Sequence, residues 1–434
     1  MRESLPAWRP SMRLIHTADW HLGQTLHDFD RSHEHARFLD WLLDVLEAER
    51  ADALLVAGDV FDVANPSSAA QALFYDFLGR ARRRLPGLGI VVIAGNHDSP
   101  GRMEAPAPVL QGLGIHVVGQ VPRDASGTID AERMVLPLRD ARGDVAAWCI
   151  AVPFLRAGDV PRIEPDDEDA ATGDAFAAGV AALYARAFAH AASLRTPGQA
   201  IVAMGHCHMV GGTVSELSER RIVIGGSEAL PTSVFAPTLA YTALGHLHLA
   251  QRAGAHEGIR YSGSPLPMSF AEVGYTHQVL RVDLDGDRLA AVTPLPVPRA
   301  VELLRVPATP AAPDDAIAAL AALDLPEAAP EAQPYLLVRV VLEAPEPGLR
   351  QRVEQALAGK PVRLARIEIS RPGAGVAGDG SQTLQPLGMD ELARLDPMAV
   401  FAARYRRDYT ADPPAGLVAA FAEIADAVAR KQDA

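Results

Sequence analysis

Carboxylates, a carboxamide and imidazoles recur in this chain at one kind of place, just after a short apolar run. In order they are Asp19-Trp20-His21, Gly58-Asp59, Gly95-Asn96-His97-Asp98, Gly205-His206 and Gly245-His246-Leu247-His248. Mixed oxygen and imidazole donors hold Mn, Fe or Zn better than Ca or Mg. Two such ions about 4 Å apart clamp a phosphate and activate water for in-line attack. Any one motif serves equally well as a turn or a cap. All five, in this order, point to a two-metal phosphoesterase. No Gly-x-x-x-x-Gly-Lys-Ser/Thr run and no covalent-nucleophile motif competes with that reading.

Asp19 and His21 are two apart at a strand end, and alternation along an extended segment points both side chains the same way. Asp59 follows Gly58 at a strand tip, where a two-oxygen carboxylate can bridge two cations. Asp62 can support a ligand from behind or N-cap the segment after it, and the structural reading is favoured. Asn96 offers a metal its amide oxygen. His97 then points elsewhere and can stabilise phosphate charge or protonate a leaving group. Asp98 reads as the carboxylate that orients the His97 ring. His206, His246 and His248 supply further imidazoles. Gly205-His206-Cys207-His208 mimics Gly245-His246-Leu247-His248, so either pair can hold two ligands. Cys207 reads as a small buried residue, and His27, His33 and His35 as surface residues.

The elements that must position these groups alternate. Arg13 to Thr17, Ala53 to Ala57 and Ile90 to Ala94 read as strands; Arg31 to Arg50 and Ser67 or Ser68 to Leu85 read as helices. This βαβαβ rhythm predicts parallel strands whose carboxyl ends share a crevice. Further strands are expected at Val145 to Val152, Ala200 to Met204, Ile222 to Ile224 and Tyr241 to Leu244, with an alanine-rich helix over Ala171 to Ala192. The acidic stretch Glu164 to Asp169 reads as a loop. Ile259 to Val297 reads as an antiparallel continuation of the core. After Pro298 a second βαβαβ follows, with strands at Val301 to Val306, Tyr335 to Leu342 and Val362 to Ile369, and helices at Ala316 to Ala322 and Leu349 to Ala358. It suggests a small independent α+β domain. Pro372 to Pro386 reads as a glycine-containing linker. Two helices are expected beyond it, at Met398 to Arg407 and Leu417 to Lys431. In the second, Leu417, Phe421, Ile424 and Val428 repeat at helical spacing.

The chain has 434 residues, which implies two or three domains, and 49% are apolar. No run of 18 apolar residues predicts a membrane span. Two cysteines, Cys149 and Cys207, fit a reducing cytoplasm better than a disulfide framework. Residues 1–11 carry charges and two prolines but no apolar core of a signal peptide. They read as a disordered extension, or Met12 is the start. A net charge of −14 argues against a protein that coats DNA by itself. It does not exclude one that cuts DNA, because bound cations supply local positive charge.

The stretches Met12-Arg-Leu-Ile-His-Thr-Ala-Asp-Trp-His-Leu-Gly23, Val56-Ala-Gly-Asp-Val-Phe-Asp62, Ala94-Gly-Asn-His-Asp-Ser99, Ala243-Leu-Gly-His-Leu-His248 and Tyr261-Ser-Gly-Ser-Pro-Leu-Pro267 resemble the SbcD family. These are bacterial nuclease subunits of the calcineurin-like metallophosphoesterase superfamily. The resemblance runs from Met12 onward, close in the core and loose after Pro298. It implies an α/β fold: a metallophosphoesterase β-sandwich flanked by helices (12–297), a small α+β DNA capping domain (298–371), a linker (372–386) and a C-terminal helical tail (387–434). It implies that Asp19, His21, Asp59 and His248 hold one metal, and Asp59, Asn96, His206 and His246 the other. His97 is then needed for cleavage, with Asp98 beside it, and His208 stays outside. The resemblance also implies manganese, a homodimer, and a coiled-coil ATPase partner of the SbcC type. The complex would trim double-stranded DNA ends 3′ to 5′ and open hairpins. Leu417, Phe421, Ile424 and Val428 would dock the partner; the alternative is packing within the chain.

A class III cyclic-nucleotide phosphodiesterase, or another small-molecule phosphoesterase, shares nearly all these motifs but has no need of the parts after Pro298. A Ser/Thr protein phosphatase fits less well, since its Gly-Asp-x-Val-Asp-Arg-Gly and Gly-Asn-His-Glu signatures differ here. A scaffold that lost catalysis should lack ligands, and every position is filled.

Overall fold

The structure is a computed structural model. It describes residues 10–371 apart from 162, 164–171, 215–228 and 345, and in the tail Met398, Phe401, Tyr405, Pro413, Pro414, Leu417, Val418 and Phe421. The described chain opens with β1 (Met12–Thr17), a small hairpin of β2 (Thr25–Leu26) and β3 (Phe29–Asp30), α1 (Ser32–Ala48), β4 (Ala53–Ala57) and α2 (Ser68–Arg84). β5 (Gly89–Ile93), the short helices α3 (Pro100–Glu104) and α4 (Ala107–Gln111), and β6 (Ile115–Val118) follow. Next are β7 (Val135–Arg139), β8 (Val145–Ala151), α5 (Thr172–Leu194), β9 (Ala200–His206), β10 (Tyr241–Gly245), β11 (Gln251–Arg252), β12 (Ile259–Tyr261), β13 (Gln278–Asp285) and β14 (Arg288–Pro296).

These strands form two six-stranded mixed sheets, β14-β13-β1-β4-β5-β6 and β11-β12-β10-β9-β8-β7, which pack on each other through β4, β5, β8, β9 and β10. β4 shows why. All five of its residues are buried, as in a strand covered on both faces. Ala53, Leu55 and Ala57 join the core shared with the second sheet, while Leu54 and Val56 join the core under α1 and α2. In α1, Phe38, Leu39, Leu42, Leu43 and Leu46 face that outer core. Ser67 caps α2 by accepting from the Ala70 N–H at 3.2 Å, so Asp62 is not the cap. α5 contains a stretch, Ala175–Leu194, long and apolar enough by composition to cross a membrane. Here its Val180, Leu183, Tyr184, Ala187 and Ala191 are buried in the core of the second sheet.

The segment expected as one antiparallel continuation is divided. β12 pairs parallel with β10 in the second sheet, and the β13–β14 hairpin pairs antiparallel with β1 in the first. Pro10 is buried, and the Ser11 hydroxyl donates to the Leu284 carbonyl at 3.0 Å and accepts from the Gly286 N–H at 2.9 Å. Ser11, counted above in the extension, is therefore held in the fold.

A second module comprises β15 (Leu303–Ala311), α6 (Pro313–Ala321), β16 (Tyr335–Val341), α7 (Leu349–Ala356) and β17 (Arg363–Ser370). Its three strands run parallel in chain order. Alternation divides β16: Leu336, Val338 and Val340 pack under the two helices, while Tyr335 and Leu337 join Leu26, Phe270, Val301 and Leu303. That second cluster seats the module on the β2–β3 hairpin, within one compact unit that ends at Arg371. Residues 372–434 form another, in which the Phe401 and Phe421 rings stack at 4.3 Å. The expected strand at 222–224, the acidic stretch 164–169, the linker 372–386, Ile424 and Val428 lie outside the described residues.

Candidate metal centre

β1, β4 and β5 run parallel in one sheet, and β9 and β10 in the other. Their carboxyl ends meet at one edge of the sandwich. Asp19 and His21 come from the loop after β1, Asp59 from the loop after β4, and Asn96 and His97 from the loop after β5. His206 ends β9, while His246 and His248 follow β10. Two adjacent groups result, and a third, His21, Asp59 and His97, overlaps them. Ligating atoms of Asp19, His21 and His248 lie within 4.8 Å of one another, as do those of Asp59, His206 and His246. Asn96 joins the second group, its Oδ1 2.9 Å from His206 Nε2 and 3.1 Å from His246 Nδ1. Asp59 lies between the groups, its Oδ2 3.3 Å from His206 Nε2 and 3.8 Å from His21 Nε2. His208 belongs to neither group, its ring 6.4 Å from that of His246.

The loops that carry these groups are strained. Asp19 (φ 55°), His21 (φ 47°), Asp59 (φ 49°) and His246 (φ 104°) are left-handed non-glycine residues, a conformation that clusters at functional sites. Extended alternation is thus not what aligns Asp19 with His21. β1 has ended, and two left-handed residues flank Trp20, whose indole turns into the core against Phe38, Phe74 and Phe77. Backbone bonds hold the turn: Asp19 N donates to Gly58 O, and His21 N to Asp59 O, both at 3.0 Å. His246 N donates to the Asp19 carboxylate at 2.9 Å. Gly58 and Gly95 are where these loops touch; a Cβ on the first would collide with the His206 ring, and on the second with the Asp59 carboxylate.

Three of the imidazoles are oriented from behind. His206 Nδ1 donates to the Ala57 carbonyl at 2.8 Å, leaving Nε2 for the cluster. His248 Nδ1 lies 2.9 Å from Glu272 Oε1. His97 Nδ1 donates to the Asp62 carbonyl at 2.6 Å. Asp98 does not orient His97. Its carboxylate accepts from the N–H groups of Val60 (3.1 Å), Phe61 (2.9 Å) and Gly95 (2.9 Å), joining the loop after β4 to the loop after β5. The Asp98 carboxylate is occupied by three buried N–H groups, which leaves the His97 ring to the Asp62 carbonyl.

The charges suit cations. Burial raises the Asp19 carboxyl to about 7 despite His206 and His248 nearby. Burial alone would raise Asp59 too, but His206 and His21 hold it far below its usual value. Burial opposes a charged His206, and Asp59 overcomes it, pushing the imidazole up to about 9. His246 falls to about 3 through burial and the charge of His206. His21 shows that the donor set fits metals. Both its ring nitrogens are buried without a well-formed hydrogen bond, although the Asp62 carboxylate is 3.3 Å from Nδ1. A buried polar atom without a partner is costly, and a cation satisfies it. Cys207 is half-buried, with its thiol raised to about 12 by desolvation, and so is a poor thiolate ligand.

Glu272 escaped the sequence reading, Asp62 was read there as structural, and His35 as a surface residue. Glu272, fully buried, supports His248. Asp62 faces His21 with its side chain and His97 with its carbonyl. His35, expected on the surface, is 1% exposed, with both nitrogens lacking partners, and burial and Arg31 lower it to about 3. An acidic residue inside the apolar run Met268-Ser-Phe-Ala-Glu272-Val was the available signal for Glu272. His35 falls at helical spacing with Phe38, Leu39 and Leu42 on the buried face of α1.

Comparison with known proteins gives matches over the whole described core. The calcineurin-like phosphoesterase family matches residues 12–250, and the family described as type 5 capsule protein repressor C-terminal domain matches residues 299–409. The curated SbcD component of the nuclease SbcCD from Rhodobacter capsulatus is 42% identical over 397 residues, 91% of this chain and 94% of that one. The component of the same name from Escherichia coli K12 is 36% identical over 66% of this chain and 68% of its own length. A solved dimetal phosphatase from Danio rerio aligns with TM-score 0.34 and 11% identity over 67% of this chain and 100% of that one.

Proposed function

Because the chain belongs to the calcineurin-like phosphoesterase family, and within it to the SbcD nuclease subunits, we propose that it cuts phosphodiester bonds at double-stranded DNA ends 3′ to 5′ and opens hairpins. The family makes it a metal-dependent phosphodiesterase and nuclease. The observation that carries the reading is the pair of ligand groups that meet at Asp59. Asp19, His21, Asp59 and His248 would hold one ion; Asp59, Asn96, His206 and His246 would hold the second. Mn²⁺ suits these oxygen and imidazole donors. Bound there, the ions supply charge for the phosphate oxygens and acidify the attacking water.

The protein's own groups do the rest. Asp59 would contribute to both positions. The Asp62 carbonyl accepts from His97 Nδ1 and leaves Nε2 free, which would donate to the phosphate or its leaving oxygen when the ring carries a second proton. His97 is half-buried, so that nitrogen is within reach of substrate. In this reading the chain works in the cytoplasm, as a homodimer with a coiled-coil ATPase of the SbcC type whose ATP cycle regulates access. The module 298–371 caps DNA, and the tail residues Leu417, Phe421, Ile424 and Val428 dock the ATPase.

Metal-loaded protein should be assayed on linear and hairpin duplexes and on a cyclic nucleotide, with and without the ATPase. Partner-enhanced DNA cleavage, lost in His97→Ala while both ions stay bound, is the expected result. Turnover of the cyclic nucleotide with inert DNA would replace the substrate and keep the metal site.

A further inference from the structure

A buried chain of hydrogen bonds runs from the β15–β17 module to His248. The Tyr335 hydroxyl, on β16, donates to Glu34 Oε1 at 2.9 Å. Glu34 is held by Arg31 through both carboxylate oxygens, Nε to Oε1 at 2.8 Å and a terminal nitrogen to Oε2 at 2.7 Å. The other terminal nitrogen of Arg31 donates to the Pro267 carbonyl at 2.8 Å and to Gln24 Oε1 at 2.6 Å. Gln24 in turn donates from its side chain to the Met268 carbonyl at 3.1 Å and from its backbone to the His21 carbonyl at 2.9 Å. Met268 N donates to Glu272 Oε2 at 2.7 Å, and Glu272 Oε1 meets His248 Nδ1 at 2.9 Å.

Arg31, Glu34, Tyr335 and Glu272 are each no more than 1% exposed. Burial beside the Glu34 carboxylate raises the Tyr335 phenol well above its usual value, so it remains a donor. The Arg363 guanidinium lies 3.9 Å from the centre of the Tyr335 ring and fixes that ring from the module side. Breaking any link leaves a buried polar group unpaired, which makes such a network act as a unit. Neither the core nor the module requires a charged pair at this junction, since the apolar cluster of Leu26, Phe270, Leu303 and Leu337 already seats the module.

We propose that Tyr335, Glu34, Arg31 and Glu272 are positioning residues that couple the seating of the β15–β17 module to the orientation of His248, and so to the ion His248 holds. The proposal rests on the reading of His248 as a metal ligand. Coupling is reciprocal. If the module steadies the ion, the ion must steady the module.

The test is Mn²⁺ titration calorimetry on chelator-treated full chain, with hydrogen exchange followed in residues 335–341. Wild type should bind two ions, and Mn²⁺ should slow exchange in that strand. Tyr335→Phe should weaken one ion at least about fivefold and abolish the Mn²⁺ effect on the strand. Glu34→Gln, which keeps an acceptor for Tyr335 but loses the charge facing Arg31, should weaken the same ion. Glu272→Gln should weaken it about 10-fold to 100-fold. Lys360→Met removes bonds to the Ala321 and Leu323 carbonyls within the module but none in the chain, and should bind both ions as wild type does. Unchanged affinity in Tyr335→Phe and Glu34→Gln, with two ions bound to wild type, would overturn the coupling alone. An equal loss in Lys360→Met would overturn it too, by assigning the effect to module stability. Wild type that binds no Mn²⁺ would overturn the metal-site reading beneath it.

Discussion

Asp98 is next to His97 in the chain and turned away from it in space, and the two should fail differently. Asp98→Ala leaves three buried N–H groups without an acceptor, at roughly 1–3 kcal/mol each if none finds water. It should lower both the unfolding temperature and Mn²⁺ affinity in calorimetry. His97→Ala should keep both and lose cleavage. An Asp98→Ala protein with wild-type stability and metal binding would show that the carboxylate does not join the loops. Protonation gives a second prediction. In metal-free protein His206 keeps its proton up to about 9, and Asp19 up to about 7. The ion at Asp19 must displace one of these protons and the ion at His206 the other, so each affinity rises with pH. The slope should be about tenfold per pH unit, up to about 7 for the ion at Asp19 and up to about 9 for the ion at His206. Titrations at three pH values measure it, and a flat profile would mean that His206 binds no ion.

At the scale of elements, strand ends place the ligands and the loops between them carry strain that packing must hold. Trp20 anchors the first loop, with its indole N–H on the Thr17 hydroxyl at 2.9 Å and its ring edges against Phe38, Phe74 and Phe77. Trp20→Ala should destabilise by about 3–5 kcal/mol in urea unfolding. It should also weaken metal binding, because Asp19 and His21 lose the residue that holds their left-handed backbone. Intact Mn²⁺ affinity in this variant would show that the hydrogen bonds to Gly58 and Asp59 hold the loop by themselves. The same scale explains which boundaries the sequence reading found. β4 and α2 are bounded by Gly58 and Ser67, and such breakers and caps are visible locally. The partition of 259–297 between two sheets depends on pairing with β1 and β10, and pairing partners leave no local mark.

In the whole molecule, ions and fold are linked. The proposed ligands come from five separate loops, and no short segment holds a site by itself. Removing metal with a chelator should lower the unfolding temperature, and Mn²⁺ should restore it. At free Mn²⁺ about 100 times Kd the gain is about 2.7 kcal/mol per site. A melting curve indifferent to Mn²⁺ would mean that the ligand groups are structural. A chain of net charge −14 also gains little general attraction to DNA, so local cations and a partner's surface must supply it. In the tail, Phe421 stacks on Phe401 while Leu417 stays 44% exposed.

The donor set, its order along the chain and the alternation of elements are legible in the residues alone, because ligand chemistry and hydrophobic period are local properties. Gly58 is likewise marked as the point of close approach. What stands behind the donors is settled only in the folded chain. Glu272 reaches His248 from a turn 24 residues on, Asp62 serves His21 and His97 across a loop, and Asp98 faces the backbone of a neighbouring strand end. Such partners are chosen by distance after folding. A carboxylate that orients an imidazole and one that caps a turn are the same residue type, and only the fold brings a particular imidazole within reach.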